Sequence, residues 1–388
     1  MALRSFSGFL SQGAPGRKKN NLSIINLDTF LKSSTLMEWA PLGAHTRPFP
    51  APELQDYLGR AKNLATVPRT KEDKYNLPYI HGSNVEIKGE HGESFDLDKL
   101  RATVTTRPTR ITKQNTKMVH SDGTSSIFFN IGLPALKGLA VDEKTGEFVI
   151  VDTCPGAGIC KTFCYAMKGG YVQFPVASLG VTRVLNFLLN DPDGFKQMVS
   201  NELTDAEKKF TKKGVKVVVR WHDAGDFFSP EYMDAAFDIA RRFPNIDFYA
   251  YTKIAGVAQS SSRPENFKMN FSGGAQPSQE KLVDFKTTKH SRVVPRELFT
   301  DLIDRTGNTL HKDARGRMQF KSVEALEEFK HRLANKYAIS NVDSIITYDE
   351  MMKKPIGTTP LWNVLVWSGH GDESANRYDV IGTFLLLH

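Results

Sequence analysis

The sequence has little cysteine and no long apolar run. Its 388 residues include only three cysteines, and all three lie within residues 154–164. An odd, clustered number excludes a disulfide framework and indicates a reducing compartment, so we expect a cytoplasmic protein. The longest apolar runs, such as residues 381–387, fall far short of the roughly 20 residues that span a bilayer. We therefore expect no membrane partner.

Acidic residues are the minority among the charged ones, with 43 Asp and Glu against 51 Lys and Arg, which gives a formal net charge of +8. Residues 101–118 contain no acidic side chain but five basic ones: Arg101, Arg107, Arg110, Lys113 and Lys117. The Thr-rich spacing of this stretch suggests an extended segment. It predicts either a basic surface that binds a nucleotide or nucleic acid, or a charged edge strand that discourages pairing with another sheet.

Periodicity is weak before residue 120 and strong after it. We expect residues 1–120 to form an irregular basic N-terminal region and residues 121–388 to form an α/β three-cysteine domain. β-Branched residues predict a buried strand at 215–220, and Ser229 with Pro230 marks the start of a helix over 230–242. Another strand is expected at 246–251. Strands that alternate with helices predict a parallel sheet, and we expect an incomplete parallel (β/α) barrel.

The cysteines have the spacing Cys-x5-Cys-x3-Cys, at Cys154, Cys160 and Cys164. Gly156 and Gly158 between the first two let the backbone wrap closely around an inorganic cluster. Three thiolates on one loop can hold a cubane iron–sulfur cluster (4Fe–4S), and the chain has no fourth cysteine to close it. An electron-transfer ferredoxin normally closes all four positions with cysteine. The sequence therefore points to an open iron that can bind a substrate or S-adenosylmethionine.

Three other interpretations of the cysteines stay open. Zinc accepts three cysteines and one histidine, and His222 is a candidate for the fourth ligand from another strand. The thiols can also be buried without any ligand. One of them can be a nucleophile, although that gives no reason for the other two.

Polar residues gather after the predicted strand at 215–220, and ligands bind at the carboxyl ends of strands in open α/β sheets and barrels. His222 can act as an acid, a base or a ligand there. Asp223 or Asp226 can receive the ammonium group of an amino-acid-like ligand. Lys253, after the next strand, can bind a carboxylate or phosphate. We take His222, Asp223 and Lys253 as candidate catalytic residues. Alternatively, Asp226 and Ser229 simply cap the next helix while His222 satisfies a buried hydrogen bond.

Two further patterns carry weaker alternatives. His222, Asp223 and Asp226 have the ligand chemistry of a metal-dependent hydrolase or nuclease. Residues 368–373, with His370 and Asp372, follow an apolar strand and fit either a site or an ordinary polar turn.

Four blocks of sequence occur in a recognisable order. They are residues 153–166 with the cysteines, Arg183 with Asn186, residues 220–227, and residues 248–253. In this order they resemble the bacteriophage "gene product 88" family of three-cysteine proteins. The likeness covers roughly residues 153–253. The resemblance implies a phage origin, and therefore a location in the host cytoplasm. It implies a three-cysteine pattern more than an activity.

The layout also resembles a radical S-adenosylmethionine enzyme, with a strand, a three-cysteine loop, a helix, and a second strand that ends in a glycine–acid pair. The resemblance implies that Cys154, Cys160 and Cys164 hold a cubane cluster. It also implies that Gly225 and Asp226 receive the methionine amino group. The chain departs from the usual Cys-x3-Cys-x2-Cys spacing of that superfamily, and it has Asp where Glu is usual.

Together these patterns favour a radical S-adenosylmethionine-like enzyme. An electron donor would reduce the cluster, S-adenosylmethionine would be cleaved, and the resulting radical would abstract hydrogen from a nucleotide or nucleic acid. The alternatives are a non-enzymatic nucleic-acid-binding protein stabilised by zinc or a cluster, and the hydrolase or nuclease.

Overall fold

The structure is a computed structural model. It describes residues 46–66, 80–83, 95–114, 126–162, 164–167, 171, 174–303, 320–357, 360–367 and 372–386. The part of the expected basic N-terminal region before residue 46 lies outside the described residues. So do Lys117 and His370. These described residues all belong to one compact unit.

The described strands, in chain order, are β1 (Thr46–Pro48), β2 (Ser126–Ile131), β3 (Lys137–Val141), β4 (Phe148–Asp152), β5 (Lys216–Trp221), β6 (Asp247–Thr252), β7 (Phe267–Ser272), β8 (His290–Val293), β9 (Ile345–Thr347), β10 (Trp362–Val366) and β11 (Val380–Leu385). The α-helices are α1 (Ala51–Thr66), α2 (Leu97–Thr105), α3 (Pro175–Asn190), α4 (Pro192–Thr211), α5 (Pro230–Arg242), α6 (Ala255–Ala258), α7 (Pro277–Glu280), α8 (Val323–Tyr337), α9 (Tyr348–Lys353) and α10 (Asp372–Asn376). Among these described helices none is long and apolar enough to cross a membrane.

Eight strands form the main sheet in the order β2-β5-β6-β7-β8-β11-β10-β9. Every neighbouring pair in it is parallel. β2 and β9 are its edges, so the sheet is open, as in an incomplete barrel. The α/β class and the parallel sheet predicted from the sequence are therefore confirmed.

The two faces of the first half of this sheet differ. On one face Val217, Val219 and Trp221 join a large core that includes α4 and α5. On the opposite face a small cluster contains Val218 and, from α10, Ala375. The β-branched run at 217–219 is buried on both faces, which explains why it lacks the alternation of a half-exposed strand.

Helix α5 begins as the sequence predicts. The Ser229 Oγ accepts a hydrogen bond from the Tyr232 N–H at 3.2 Å, and Pro230 occupies the first helical position. The helix ends at Arg242, and β6 follows after a short turn. This local chemistry fixes where β5 ends and therefore where the polar segment at 222–229 lies.

A smaller antiparallel sheet, in the order β1-β4-β3, delivers the cysteine loop to the main sheet. β3 and β4 form an antiparallel hairpin, and β1 pairs with β4. The described part of the predicted N-terminal region thus contributes β1, α1 and α2 to the compact unit. The expected boundary at residue 120 stays a prediction.

The first residues of the basic stretch differ from the extended segment expected for it, because α2 continues to Thr105, whereas Lys113 pairs antiparallel with Asn130 at the edge of the main sheet. Arg101 lies in helix α2, and its guanidinium carbon is 5.1 Å from the ring centre of Phe148. Arg107 and Arg110 cover two other core phenylalanines in the same way, at 4.5 and 5.9 Å. These arginines therefore cover aromatic rings at the edge of the core, and a contact with nucleic acid stays a prediction.

Candidate functional site

The cysteine loop follows β4 and lies across the carboxyl ends of β5, β6 and β7. Backbone hydrogen bonds hold it there, among them Gly158 N–H to Gly274 O at 3.1 Å, Gln276 N–H to Gly156 O at 3.0 Å, and Asp226 N–H to Thr153 O at 2.9 Å. The loop therefore occupies the edge of the sheet at which α/β folds bind ligands.

The two glycines of the loop are needed for contact with protein backbone. A Cβ on Gly156 would lie 2.5 Å from the carbonyl oxygen of Lys253, and one on Gly158 would lie 2.2 Å from that of Ala275. No side chain fits at such distances. The sequence predicts that these glycines let the backbone approach a cluster. The structure adds a second reason for glycine at both positions, which is the close contact with the backbone of residues 253 and 275.

The three thiols are neighbours in this loop. Cys154, Cys160 and Cys164 are each partly buried, and Cys164 influences the titration of both other thiols. The Leu136 N–H donates a hydrogen bond to Cys154 Sγ at 3.3 Å. Cys164 packs against a group of small residues that includes Ala224.

Burial raises the pKa of two of these thiols. The pKa of Cys154 lies well above its usual value, first because of desolvation and then because of the negative charge of Asp226. Desolvation also raises the pKa of Cys160, while the nearby ammonium of Lys253 opposes that rise. Both groups are therefore thiols at neutral pH unless a metal takes the place of the proton.

Asp226 joins the loop to the ends of β5 and β6. Its Oδ2 accepts a hydrogen bond from the Lys253 N–H at 2.8 Å, and its Oδ1 accepts one from the Phe227 N–H at 2.7 Å. The side chain is 4% exposed, and desolvation raises its pKa to about 6. Asp226 thus has a clear part in positioning the loop, while its expected contact with an amino group stays a prediction.

Lys253 and Gly225 also lie at this edge of the sheet. The Lys253 Nζ donates to Ser272 Oγ at 2.6 Å and to Gly273 O at 3.0 Å, so it links β6 to β7. Gly225 has φ +84°, and a Cβ there would lie 2.7 Å from Leu133 Cβ. The structure therefore places both Lys253 and Gly225 near the cysteine loop. Their contacts explain why a long cationic side chain occurs at one position and glycine at the other. Their ligand-binding functions stay predictions.

Asp223 lies in a separate polar group at the end of β2. Its Oδ2 accepts hydrogen bonds from Asn130 Nδ2 and from the Tyr171 hydroxyl, each at 2.7 Å. The positive charge of Lys113 is also close to it. Neither Asn130 nor Tyr171 was predicted from the sequence as a site residue. Asn130 could have been found as the one polar residue in the apolar run at 127–131, whereas only the fold brings Tyr171 next to Asp223.

His222 lies in the aromatic core. It is 3% exposed and has φ +68°, and its Nε2 is 2.8 Å from the Tyr232 hydroxyl. Its ring centre is 4.5 Å from that of Phe227. Desolvation lowers its pKa to about 3, so the imidazole is neutral at physiological pH. The structure therefore surrounds His222 with aromatic residues, and its action as catalyst or ligand stays a prediction.

Within the described ranges, no three side chains of His, Cys, Asp or Glu form a group that could hold a metal ion as they stand. His222 and Asp223, neighbours in sequence, contact Tyr232 and Tyr171 respectively. Residues 368–371 lie outside the described part of the chain, as does the side chain of Asp372. The donor chemistry of the three thiols nevertheless fits a cluster, because each thiolate of a cubane binds a different iron and the ligands stand farther apart than around one ion.

A sequence model of the family described as Gene product 88 matches residues 106–340. The Gene 88 protein of Mycobacterium phage D29 is 30% identical over 156 residues, and that of Mycobacterium phage L5 is 31% identical over 160 residues. Each alignment covers 39% of this chain and 59% of the relative, so the chain spans less than two thirds of these curated relatives. No solved structure gives a significant match. These comparisons support the gene product 88 resemblance and give none to the radical S-adenosylmethionine one.

Proposed function

The chain belongs to the Gene product 88 family, and from that premise we propose that it is an iron–sulfur protein whose cubane cluster is held by Cys154, Cys160 and Cys164. The observation that carries the proposal is the position of the three thiols. They are gathered on one loop that backbone hydrogen bonds fix over the carboxyl ends of parallel strands. A cluster there would face the part of the sheet where α/β enzymes bind substrates.

The local environment supports a cluster more than a single zinc ion. The N–H that reaches Cys154 Sγ is the kind of hydrogen bond that stabilises a cluster thiolate. The zinc alternative needs four ligands around one ion, and among the described residues no three side chains of His, Cys, Asp or Glu form such a group. Its candidate fourth ligand, His222, has its Nε2 against the Tyr232 hydroxyl and a buried Nδ1 with no partner among those residues. The hydrolase alternative needs His222 and Asp223 to converge, and their observed partners differ.

We further propose that the protein is a radical S-adenosylmethionine-like enzyme served by a separate electron donor. When bound, a cluster with one open iron supplies one-electron reduction and a coordination position for S-adenosylmethionine. The chain's own residues position this site. The Asp226 N–H bonds the Thr153 carbonyl at the start of the loop, and the Lys253 side chain links β6 to β7 beside it. Cys164 packs against small residues. Because the two relatives are mycobacteriophage proteins, we also propose a phage origin and action in the host cytoplasm.

The test is anaerobic purification followed by iron, acid-labile sulfide and zinc analysis. Iron and sulfide in stoichiometric amounts support the proposal, and they should be lost when any one cysteine is replaced by Ala. Thr162→Ala is a matched control, because Thr162 is an exposed residue of the same loop and should leave the cluster content unchanged. One equivalent of zinc without sulfide would refute the cluster.

The enzymatic step has its own measurement. With reductant and S-adenosylmethionine, the cluster-loaded protein should release 5′-deoxyadenosine, and the cysteine variants should not. A retained cluster without any cleavage would overturn the enzymatic part and leave a structural or electron-transfer protein.

A further inference from the structure

Arg292 lies near the carboxyl end of β8, beside the turn that holds the cysteine loop. β8 pairs with β7 and β11, and the Gly273 N–H that follows β7 donates to the Ser291 carbonyl at 2.7 Å. A Cβ on Gly273 would lie 3.3 Å from Arg292 Cγ. One on Gly274 would lie 3.7 Å from Cys160 Cβ. Only the turn of these two glycines therefore separates Arg292 from the cysteine loop.

Two aromatic rings contact the guanidinium of Arg292. Its central carbon is 3.5 Å from the ring centre of Phe285 and 4.8 Å from that of Tyr337. Phe285 packs against the large core, whereas Tyr337, the last residue of α8, packs against a second core. The arginine thus lies where the two cores meet. A guanidinium that stacks on aromatic rings is held in a fixed orientation and keeps its N–H groups available for hydrogen bonds.

No described residue accepts a hydrogen bond from this guanidinium, and none forms an ion pair with it. The charge of Glu280 acts on it from a distance, but the Glu280 Oε1 accepts the Gly274 N–H at 2.9 Å. The Tyr337 hydroxyl also has no hydrogen-bond partner in the described part of the chain. Burial lowers the pKa of Arg292. A cation that is partly withdrawn from water without an acceptor is costly, and a bound anion would offset that cost.

We propose that Arg292 and Tyr337 hold the oxyanion group, a phosphate or a carboxylate, of a small-molecule substrate beside the cysteine loop. Both side chains are partly exposed, so a ligand can reach them. The guanidinium fork can donate to two oxygens of such a group, and the phenol supplies a further donor. The negative charge of Glu280 nearby limits the site to one anionic group. That this anion belongs to the substrate rests on the proposed function, whereas its binding does not.

The test is ¹H–¹⁵N NMR of the full chain during titration with inorganic phosphate, methyl phosphate and acetate at matched ionic strength. The reporters are the Arg292 Nε–H, which Arg292→Lys identifies by its absence, and the backbone N–H of Gly273. At least one anion should shift both signals saturably at millimolar concentration, and the preferred anion tells phosphate from carboxylate.

Variants are compared through the Gly273 signal. Arg292→Lys should weaken binding about tenfold, because lysine keeps the charge but loses the fork. Tyr337→Phe, which keeps the ring, should weaken it about fivefold. Arg47→Lys is the matched control. Arg47 also lies over a ring, but its guanidinium is already paired with Glu53 at 3.1 Å, so this variant should bind like the wild type.

Several results would overturn the inference. They are the absence of a saturable shift with every anion, unchanged binding by folded Arg292→Lys, and an equal loss in Arg47→Lys. Thermal unfolding shows whether each variant is folded. An equal shift of the Arg292 signal by S-adenosylmethionine, in cluster-loaded protein, would also contradict it, because the arginine would then serve that molecule. Anion binding by a protein without iron and sulfide would refute only the cluster, and a cluster without anion binding would refute only this site.

Discussion

Replacing Gly158 by Ala should detach the cysteine loop from the sheet. The new Cβ would lie 2.2 Å from the carbonyl oxygen of Ala275, and because that oxygen belongs to the backbone it cannot turn away. The contact must open, and three backbone hydrogen bonds would be strained or lost: Gly158 N–H to Gly274 O at 3.1 Å, Cys160 N–H to Gly274 O at 3.4 Å, and Gln276 N–H to Gly156 O at 3.0 Å. At about 0.5–1.5 kcal/mol each, the loss of all three costs about 1.5–4.5 kcal/mol.

The assay combines urea unfolding, followed by circular dichroism, with the iron content of anaerobically purified protein. Gly158→Ala should unfold at lower urea and hold less iron. Gly59→Ala is the matched control. Gly59 lies within α1 and has no atom within 4 Å of the added Cβ, so that variant should gain about 0.5–1 kcal/mol of helix stability and keep its iron. If Gly158→Ala matches the wild type in both stability and iron, the loop is not held as argued.

Three further outcomes are expected. Acid should destabilise the protein between pH 6.5 and about 4. In that range the unfolded chain protonates three histidines that burial keeps neutral in the fold, at about 1.4 kcal/mol per pH unit for each, so stability present at neutral pH is lost as pH falls. Asp226, whose pKa burial raises to about 6, acts in the opposite direction and offsets about one of the three. A flat urea midpoint across that range would contradict this. The histidines with lowered pKa values are His81, His222 and His290. Tyr232→Phe should cost about 1–3 kcal/mol in urea unfolding, because its hydroxyl accepts the Trp221 Nε1–H at 2.9 Å and bonds His222, and an unchanged midpoint would show that this bond contributes nothing. Replacing Arg107 and Arg110 by Gln should lower the slope of DNA affinity against salt by about one unit per residue, and an unchanged slope removes this stretch as a DNA contact.

The sequence predicted the elements whose signals are local. The run at 217–219 and the Ser229–Pro230 start were sufficient for β5 and α5, because β-propensity and capping act over a few residues. The clustering of the cysteines likewise needed no tertiary information. The extended conformation expected around Arg101 was wrong, because α2 packs against β3 and that packing outweighs the Thr-rich local preference.

The surroundings of the site residues could not be read in the same way. At His222 the backbone adopts a positive φ directly after β5, which takes the side chain out of the strand's alternation and into the aromatic core. Asp223 and Tyr171 are far apart in sequence, and only the fold makes them partners. Side-chain directions at a strand end depend on such turns, and periodicity carries no information about them.

The strand order has a consequence for synthesis. β11 follows all other described strands in the chain, yet it lies between β8 and β10. As the chain leaves the ribosome, β2, β5, β6, β7 and β8 can pair in the order in which they emerge, whereas β9 and β10 can only form a separate pair. Until β11 is made, β8 and β10 each expose an unpaired edge of the kind that recruits other chains. A polypeptide stopped before residue 380 would therefore carry two half-sheets and a tendency to aggregate, even though every candidate site residue would already be present.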